Sequence, residues 1–294
     1  AASKTDESVL LIDEAEQKLH YDAQADLVQM LAGQRVSRKV IYTTHSAGCL
    51  PEDLGNGVRL TIPSDSDVTT SHIQNKFWGG NETGFTPLLF GMGASTLAFF
   101  PTRKALMVEG PADMLLLPSL IREALNADVL GYQIVPGLSI TQHTIDPVIL
   151  WSHVGIVYLV DGDAGGQNIR RTLRQKGIPD ERIISLRGNG GRALEVEDFL
   201  NPDTLIDAAN LLIERFHPRA GSIVRADLQS EGRMASLECR YRELTGVSVP
   251  KVELAYEVLD AWHDRPGSSL GDARRKGALI AIADKIVRAF EPVA

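Results

Sequence analysis

The segment that decides the fold is VGIVYLVDGDAGG, at residues 154–166. Its continuous apolar run is typical of a strand that is buried on both faces of a sheet, and the run ends at Asp161 and Asp163. An earlier segment, KALMVEGPAD at residues 104–113, has the same design, because its apolar run ends at Glu109 and a helical pattern follows. Strands that alternate with helices in this way predict βαβ units and a parallel sheet.

The same alternation continues on both sides of these segments. Further strand patterns occur at residues 9–12, 39–45, 58–62, 132–137 and 182–188, and helical patterns occur from near residue 22 and at residues 86–100, 112–125 and 167–177. After Asn201 the strand patterns fade, and helical patterns remain at residues 203–216, 232–244, 250–263 and 271–290. The sequence therefore predicts an α/β protein whose C-terminal third is helical.

The composition of the 294 residues excludes several classes of protein. With 44% hydrophobic and 23% charged residues, the chain is neither disordered nor fibrous. It has no apolar run of about 18 residues and no signal-peptide pattern, so we expect a cytoplasmic protein without a membrane partner. Cys49 and Cys239 imply neither a disulfide framework nor a zinc site. A net charge of −8 argues against nucleic-acid binding by bulk charge, but allows a local basic groove or acids gathered around a metal.

Four acidic residues lie where the two decisive strands end. Because the carboxyl ends of parallel strands open on one edge of a sheet, Glu109, Asp113, Asp161 and Asp163 should converge there. Clustered carboxylates repel one another, and a site with oxygen ligands alone suits Mg²⁺ or Mn²⁺. The alternative is that each motif is an ordinary polar strand end. The ordered pair of motifs favours the metal site.

A second group of polar residues follows the first strand pattern. Asp13 and Glu14 come directly after residues 9–12, and His45 ends the next strand pattern. In a nucleotide site, Asp13 could hold Mg²⁺ through water, Glu14 could orient the attacking water, and His45 could contact the γ-phosphate. The alternative is a buried strand that ends in solvated acids.

The residues LLIDEAEQKLH, Gln24 and TTHS together resemble the second half of an ABC-type ATPase domain, in the branch attached to DNA-repair and defence nucleases. The sequence has no GxxxxGK[ST] motif, and the nearest approach, from Gly79 to Gly84, is not a phosphate-binding loop. The signature segment that should precede LLIDE is also absent. We therefore expect ATP binding only if the missing half comes from a longer chain or from a partner.

The two decisive segments resemble the Toprim domain, a four-stranded parallel sheet in which Glu109 would match the invariant acid and Asp161 and Asp163 the DxD pair. An ABC-type half followed by Toprim is the order found in the overcoming-lysogenization-defect (OLD) family of ATP-dependent nucleases. The resemblance implies metal-dependent DNA cleavage by a homo-oligomer in phage-defence or repair settings. It also divides the chain into an ATPase half (1–70), a connecting region (71–103), a Toprim nuclease domain (104–200) and a helical domain (201–294).

The nuclease branch of that family implies further site residues. Asp113, Glu195 and Glu197 would allow two metal ions, one for the attacking water and one for the leaving oxygen. Glu195 and Glu197 share a face only if the segment is extended, and the alternative is a solvated helix start. Lys251 would stabilise the pentavalent phosphate, although lysine is also common where helices begin.

Basic residues after the DGD turn are candidates for contact with the DNA backbone. They are Arg170, Arg171 and Arg174, together with Lys176, and a second cluster comprises Arg274, Arg275 and Lys276. The alternative for both is a solvated helix face. The leading hypothesis is a DNA endonuclease or nickase, against a non-cleaving DNA-binding or assembly module regulated by nucleotide, and against an ATPase that drives assembly.

Overall fold

The structure is a computed structural model, which describes residues 8–34, 36–64, 69–78, 104–137, 155–230 and 232–291. Its strands are β1 (Val9–Ile12), β2 (Lys39–Tyr42), β3 (Leu60–Pro63), β4 (Ser71–Gln74), β5 (Lys104–Val108), β6 (Gln133–Pro136), β7 (Gly155–Val160) and β8 (Ile183–Ser185). Its α-helices are α1 (Tyr21–Gly33), α2 (Leu54–Gly57), α3 (Pro111–Leu125), α4 (Ala164–Gln175), α5 (Pro202–Phe216), α6 (Arg233–Thr245), α7 (Lys251–His263) and α8 (Lys276–Ala289). The α/β class predicted from the sequence is confirmed.

The largest sheet has four strands in the order β6-β5-β7-β8, and every neighbouring pair is parallel. In the register, Met107 of β5 pairs with Tyr158 of β7, and Val160 of β7 pairs with Ser185 of β8. All four carboxyl ends therefore lie on one edge of the sheet. Glu109 and Asp161, each directly after its strand, are placed side by side at that edge.

The central strands β5 and β7 are buried almost completely, because their apolar side chains point into both layers that cover the sheet. Helix α3 buries most of its length, including Met114 and Leu115, and packs against β6, α7 and α8. It ends at Asn126, which adopts a left-handed conformation with φ 51° and donates its N–H to the carbonyls of Arg122 and Glu123.

The segment between β2 and β3 docks on this sheet layer. Leu54 of α2 is buried, and a Cβ on Gly55 would collide with Leu115 of α3. Asp53 pairs with Arg122 at 2.6 Å. Because Gly55 must lie directly against α3, a larger residue there would separate the two helices.

Two smaller sheets precede the large one. β1 and β2 form a parallel pair, and β3 and β4 form an antiparallel hairpin. The β1–β2 pair is largely open to solvent, since Val9 is 50% exposed, Leu11 71% and Ile41 50%. Apolar strand residues this exposed are the kind of surface that another element or chain usually covers.

Most predicted elements are present, with differences at their ends. β2 ends at Tyr42 rather than at His45, and α8 begins at Lys276, five residues later than its pattern predicted from residue 271. β4, with the sequence SHIQ, was not predicted, because all four of its residues are exposed and it lacks a buried apolar face. The helix predicted at residues 86–100 lies outside the described residues. Within the described ranges, no helix combines the length and apolar composition that crossing a membrane requires.

Candidate functional site

Glu109 and Asp161 form the centre of the candidate site. The backbone N–H of Asp161 donates a hydrogen bond of 2.9 Å to Oε1 of Glu109. Burial raises the pKa of Glu109 and the charges of Asp163 and Glu197 add to the effect, while the hydrogen bond from Asp161 and the charge of Lys251 oppose it. Burial, followed by the charges of Asp113 and Glu109, also raises the pKa of Asp161. The two strand ends thus place carboxylates where ionisation is disfavoured.

Two of the three glycines in the DGDAGG segment are required by close packing. The Gly162 N–H donates to the Leu194 carbonyl at 2.8 Å, and a Cβ on Gly162 would collide with the backbone of Leu186 and Ala193. A Cβ on Gly166 would collide with the backbone of Asp161. These glycines let the chain turn sharply from β7 into α4, and the turn brings the next acid to the sheet edge.

Asp163 is the N-cap of α4. Its Oδ1 accepts a 2.7 Å hydrogen bond from the Gly166 N–H, which satisfies one of the free donors of the first turn. The residue is exposed and lies close enough to Glu109 to raise the pKa of that group. Asp163 therefore has a structural role in addition to its predicted role as a metal ligand.

Asp113 occupies the first turn of α3, four residues after Glu109. Its Oδ2 accepts a 3.0 Å hydrogen bond from the Gly110 N–H, which satisfies the backbone donor of the N-cap residue. Burial is the main cause that raises the pKa of Asp113, and the charge of Glu197 is the next, while the Gly110 hydrogen bond opposes both. The sequence-predicted second acid therefore joins the same cluster.

Glu195 and Glu197 lie at the start of a 3₁₀ turn, Val196–Phe199, rather than in a strand. Glu197 is only 5% exposed, so it is not the solvated helix-start residue of the alternative interpretation. Burial, followed by the charge of Glu197, raises the pKa of Glu195. The two acids approach the sheet edge from the chain that follows β8.

Lys251, the first residue of α7, is the cation of the cluster. Its Nζ lies 4.0 Å from Oε1 of Glu197, and more than half of its side chain is exposed. Burial by itself would lower the pKa of Lys251, but the attraction of Glu197 and Asp113, with smaller contributions from other acids, raises it. The helical part of the chain thus places one positive charge beside this group of carboxylates.

Each of the six acids predicted as metal ligands therefore raises the pKa of at least one other acid in the group, or has its own pKa raised by one. In the described part of the chain, no group of three histidine, cysteine, aspartate or glutamate side chains has the arrangement that holds a metal ion. The donor set itself consists of oxygen atoms, which suit Mg²⁺ or Mn²⁺.

Asp198, which was not predicted as a site residue from the sequence, organises the backbone of this segment. Asp198 is 1% exposed, and its Oδ2 accepts a 3.1 Å hydrogen bond from the Glu195 N–H. The signal in the sequence was an acid three residues after Glu195, the spacing of a capping box. That spacing is too common to distinguish a buried acid from a solvated one.

At the other predicted site, Thr43 connects the ends of β1 and β2. Thr43 Oγ1 donates to Oδ1 of Asp13 at 2.5 Å and accepts from the Glu14 N–H at 2.8 Å. Glu14 has φ 47°, in the left-handed region that is uncommon for residues other than glycine. Asp13 and Glu14 are thus held in a defined geometry, although both are exposed.

His45 lies beyond β2, in the same group of loops. Its backbone N–H donates to Oε1 of Glu16 at 2.7 Å, and the next residue, Ser46, donates to the buried Gln24 at 2.5 Å. Burial would raise the pKa of Glu16, but hydrogen bonds from Thr44 and His45 lower it overall. Glu16 thus joins His45 to the segment after β1, and Gln24 joins the neighbouring Ser46 to α1.

The basic residues of α4 already have partners. Arg170 binds Asp180 at 2.8 Å and the Ser185 hydroxyl at 3.2 Å, and Arg174 binds Asp180 at 3.2 Å. Arg171 donates to the Asn168 side chain at 3.1 Å. Arg170 also lines an open cleft of about 680 Å³ between β8 and α8, with Arg187, Lys285 and Arg288 among its other residues. Any DNA contact by Arg170 or Arg174 would compete with Asp180.

Comparison with known proteins adds no relative: no protein-family model matches the sequence, and no curated protein is significantly similar to it. The class that the structure itself defines is a mixed α/β protein with a four-stranded parallel sheet flanked by helices.

Proposed function

We propose that this chain is a Mg²⁺- or Mn²⁺-dependent DNA endonuclease or nickase of Toprim type, from an ATPase-coupled nuclease of the OLD family. The observation that carries the proposal is the group of carboxylates at one edge of the parallel sheet, where Glu109, Asp113 and Asp161 all have raised pKa values. The mutual repulsion of ionised carboxylates in such a group costs stability, because each charge opposes the next. A role in cation binding explains the group better than a structural role.

The donor set fits a hard divalent cation. Glu109, Asp161 and Asp163 follow β5 and β7, and Asp113, Glu195 and Glu197 approach from α3 and from the chain after β8. These six acids are the ones that the family resemblance assigns to two ions. When bound, such ions polarise the phosphate and stabilise negative charge on the leaving 3′ oxygen.

The chain's own residues supply the remaining functions. Lys251, held near Glu197 at 4.0 Å, would place its ammonium group beside the charge that develops on the phosphate. Arg170, Arg171 and Arg174 would bind the DNA backbone once Arg170 and Arg174 exchange Asp180 for phosphate oxygens. The acids of the site would release the protons that their raised pKa values retain once a cation is bound, because the cation favours their ionised form.

Nucleotide regulation is the second part of the proposal. Asp13, Glu14 and His45 would form the hydrolysis side of an ATP site, with the phosphate-binding half supplied by a longer chain or by a partner. The exposed apolar residues of β1 and β2, Leu11 above all, support a covering partner at that face. Homo-oligomer formation belongs to the same proposal.

The test is cleavage of supercoiled plasmid with Mn²⁺ or Mg²⁺, measured as conversion to nicked and linear forms. We expect wild-type activity, with loss of about a hundredfold or more in Glu109→Gln and Asp161→Asn. Asp207→Asn is the matched control, because Asp207 is a partly exposed acid that pairs with Arg265, in a contact between α5 and the residues that follow α7. Cleavage that persists in both site variants would remove the metal hypothesis.

A non-cleaving assembly module regulated by nucleotide is the alternative function. The same exposed β1–β2 face favours it, because an assembly role requires a surface for a partner. Wild-type protein that shifts DNA in a gel and forms oligomers, yet leaves plasmid intact with either cation, would support this alternative over the nuclease.

A further inference from the structure

Arg233 is a fully buried arginine at the start of α6, with a relative exposure of 1%. Its Nη1 donates to the Asp198 carbonyl at 2.9 Å and also to the Leu200 carbonyl, and its Nη2 pairs with Asp272. Its backbone N–H donates to Oδ1 of Asp198 at 3.0 Å. Arg233 therefore donates these four hydrogen bonds, and three of them go to residues 198–200.

A buried guanidinium is costly unless a buried anion compensates it. Asp272, which is 7% exposed, supplies that anion. Burial would raise the pKa of Asp272, but hydrogen bonds from Arg274 and Arg233 lower it to about 2. Asp272 thus remains ionised at neutral pH. Removing Asp272 would leave the buried Arg233 without an anion, whereas removing Arg233 would leave Asp272 with Arg274 as its remaining cation.

The loop that carries Asp272 holds the same segment from another side. The Asp272 N–H donates to the Phe199 carbonyl at 2.8 Å, and the Asn201 N–H donates to the Leu270 carbonyl at 2.7 Å. Leu200 and Gly271 form an antiparallel bridge. Residues 269–272 thus pair with residues 199–201 much as a short strand would.

This loop is also tied to α3. Both carboxylate oxygens of Glu123 accept backbone hydrogen bonds, at 3.0 Å from Leu270 and at 2.8 Å from Gly271. Glu123 lies near the C-terminal end of the helix whose first turn contains Asp113. The loop therefore joins two elements that contribute acids to the candidate site.

We propose that Arg233 and Asp272 are positioning residues, which hold residues 195–200 so that Glu195 and Glu197 face the acids after β5 and β7. Asp198 is the link, because it accepts from the Arg233 N–H through one oxygen and from the Glu195 N–H through the other. The inference rests on the proposed function, since it assigns Glu195 and Glu197 to divalent-cation binding. Arg233 would act through Asp198, and not by contact with substrate or cation.

The test compares Arg233→Met, Arg233→Lys and Asp272→Asn with wild type by two measurements. Hydrogen exchange reports whether the amides of residues 195–200 lose protection while those of β5 and β7 keep it. Calorimetric titration with Mn²⁺ alone reports cation affinity. We expect faster exchange in 195–200 and a loss of Mn²⁺ affinity of about tenfold or more in Arg233→Met, with partial rescue in Arg233→Lys.

Ile286→Ala is the control for general destabilisation, because Ile286 is fully buried near the C-terminal end of α8, a helix that begins after the loop of Asp272. It should lower stability without a selective change in residues 195–200 or in Mn²⁺ affinity. If Arg233→Met does not fold, Asp272→Asn provides the same two readouts.

Three outcomes would overturn the positioning role: unchanged exchange in residues 195–200, unchanged Mn²⁺ affinity despite faster exchange, or an equal loss of affinity in Ile286→Ala. Failure of the proposed function gives a different result, because wild-type protein would then bind no Mn²⁺ and leave plasmid intact. In that case the exchange data would still decide whether Arg233 and Asp272 order the segment.

Discussion

Oε1 of Glu109 accepts a 2.9 Å hydrogen bond from the backbone N–H of Asp161, which joins the carboxyl ends of β5 and β7. The contact follows from the parallel register, because Met107 and Tyr158 are paired and the two acids lie just beyond the strands. It also fixes the Glu109 carboxylate beside a second carboxylate whose pKa is raised. The folded protein thus keeps acids together that repel one another when ionised.

The stability of the metal-free protein should therefore fall as the pH rises. Raised pKa values mean that the folded protein retains protons on Asp113 and Asp161 that the unfolded chain releases above about pH 4. The free energy of unfolding, from urea titrations in a chelator, should decrease from about pH 5 to about pH 8. Asp113→Asn should reduce this slope and stabilise the protein at the higher pH, by about 1.4 kcal/mol for each pKa unit of the shift that it removes.

Asp207→Asn is the control for that experiment, because Asp207 is a partly exposed acid paired with Arg265. It should leave the pH dependence unchanged. Added Mn²⁺ should stabilise wild type most at the higher pH, where the acids are ionised. Stability that increases over the same pH range would contradict the raised pKa values.

Asp163 should have separable structural and functional roles. Asp163→Asn keeps a side-chain oxygen that can accept from the Gly166 N–H, so the cap of α4 should remain. Asp163→Ala removes the cap and should lower the free energy of unfolding by about 1 kcal/mol. We expect both variants to lose plasmid cleavage, and only Asp163→Ala to melt at a lower temperature. Full cleavage by Asp163→Asn would show that cleavage does not require the negative charge of Asp163.

Lys251→Met should separate charge stabilisation of the phosphate from cation binding. Removing a cation that lies 4.0 Å from Glu197 leaves the acids more negative, so Mn²⁺ should bind at least as tightly as before. Plasmid cleavage should nevertheless fall by about a hundredfold, because the phosphate loses a stabilising charge. Lys76→Met is the matched control, since Lys76 also pairs with a buried glutamate, Glu257, at 3.5 Å. Weaker Mn²⁺ binding in Lys251→Met alone would indicate a structural role instead.

The site residues that could be predicted from the sequence are those that directly follow a recognisable strand. The strands that precede Asp13, Glu109 and Asp161 have continuous apolar runs, and the rule for parallel sheets puts the last two acids on one edge. The ion pair of Arg233 and Asp272 could not be predicted, because burial of both residues depends on packing between distant segments. β4 was not predicted because all four of its residues are exposed, so its sequence has no alternation of apolar and polar residues.

The chain by itself should hydrolyse ATP poorly, because its sequence has no GxxxxGK[ST] motif to bind the phosphates. The measurement is phosphate release, and turnover comparable with a complete ABC-type domain that is lost in Glu14→Gln would contradict the prediction.

The backbone of Glu14 should be strained, because a φ of 47° costs about 1 kcal/mol in a residue other than glycine. Glu14→Gly should therefore stabilise the protein, as should the control Lys18→Gly, since Lys18 has φ 65°. A Glu14→Gly variant no more stable than wild type would contradict backbone strain at this position.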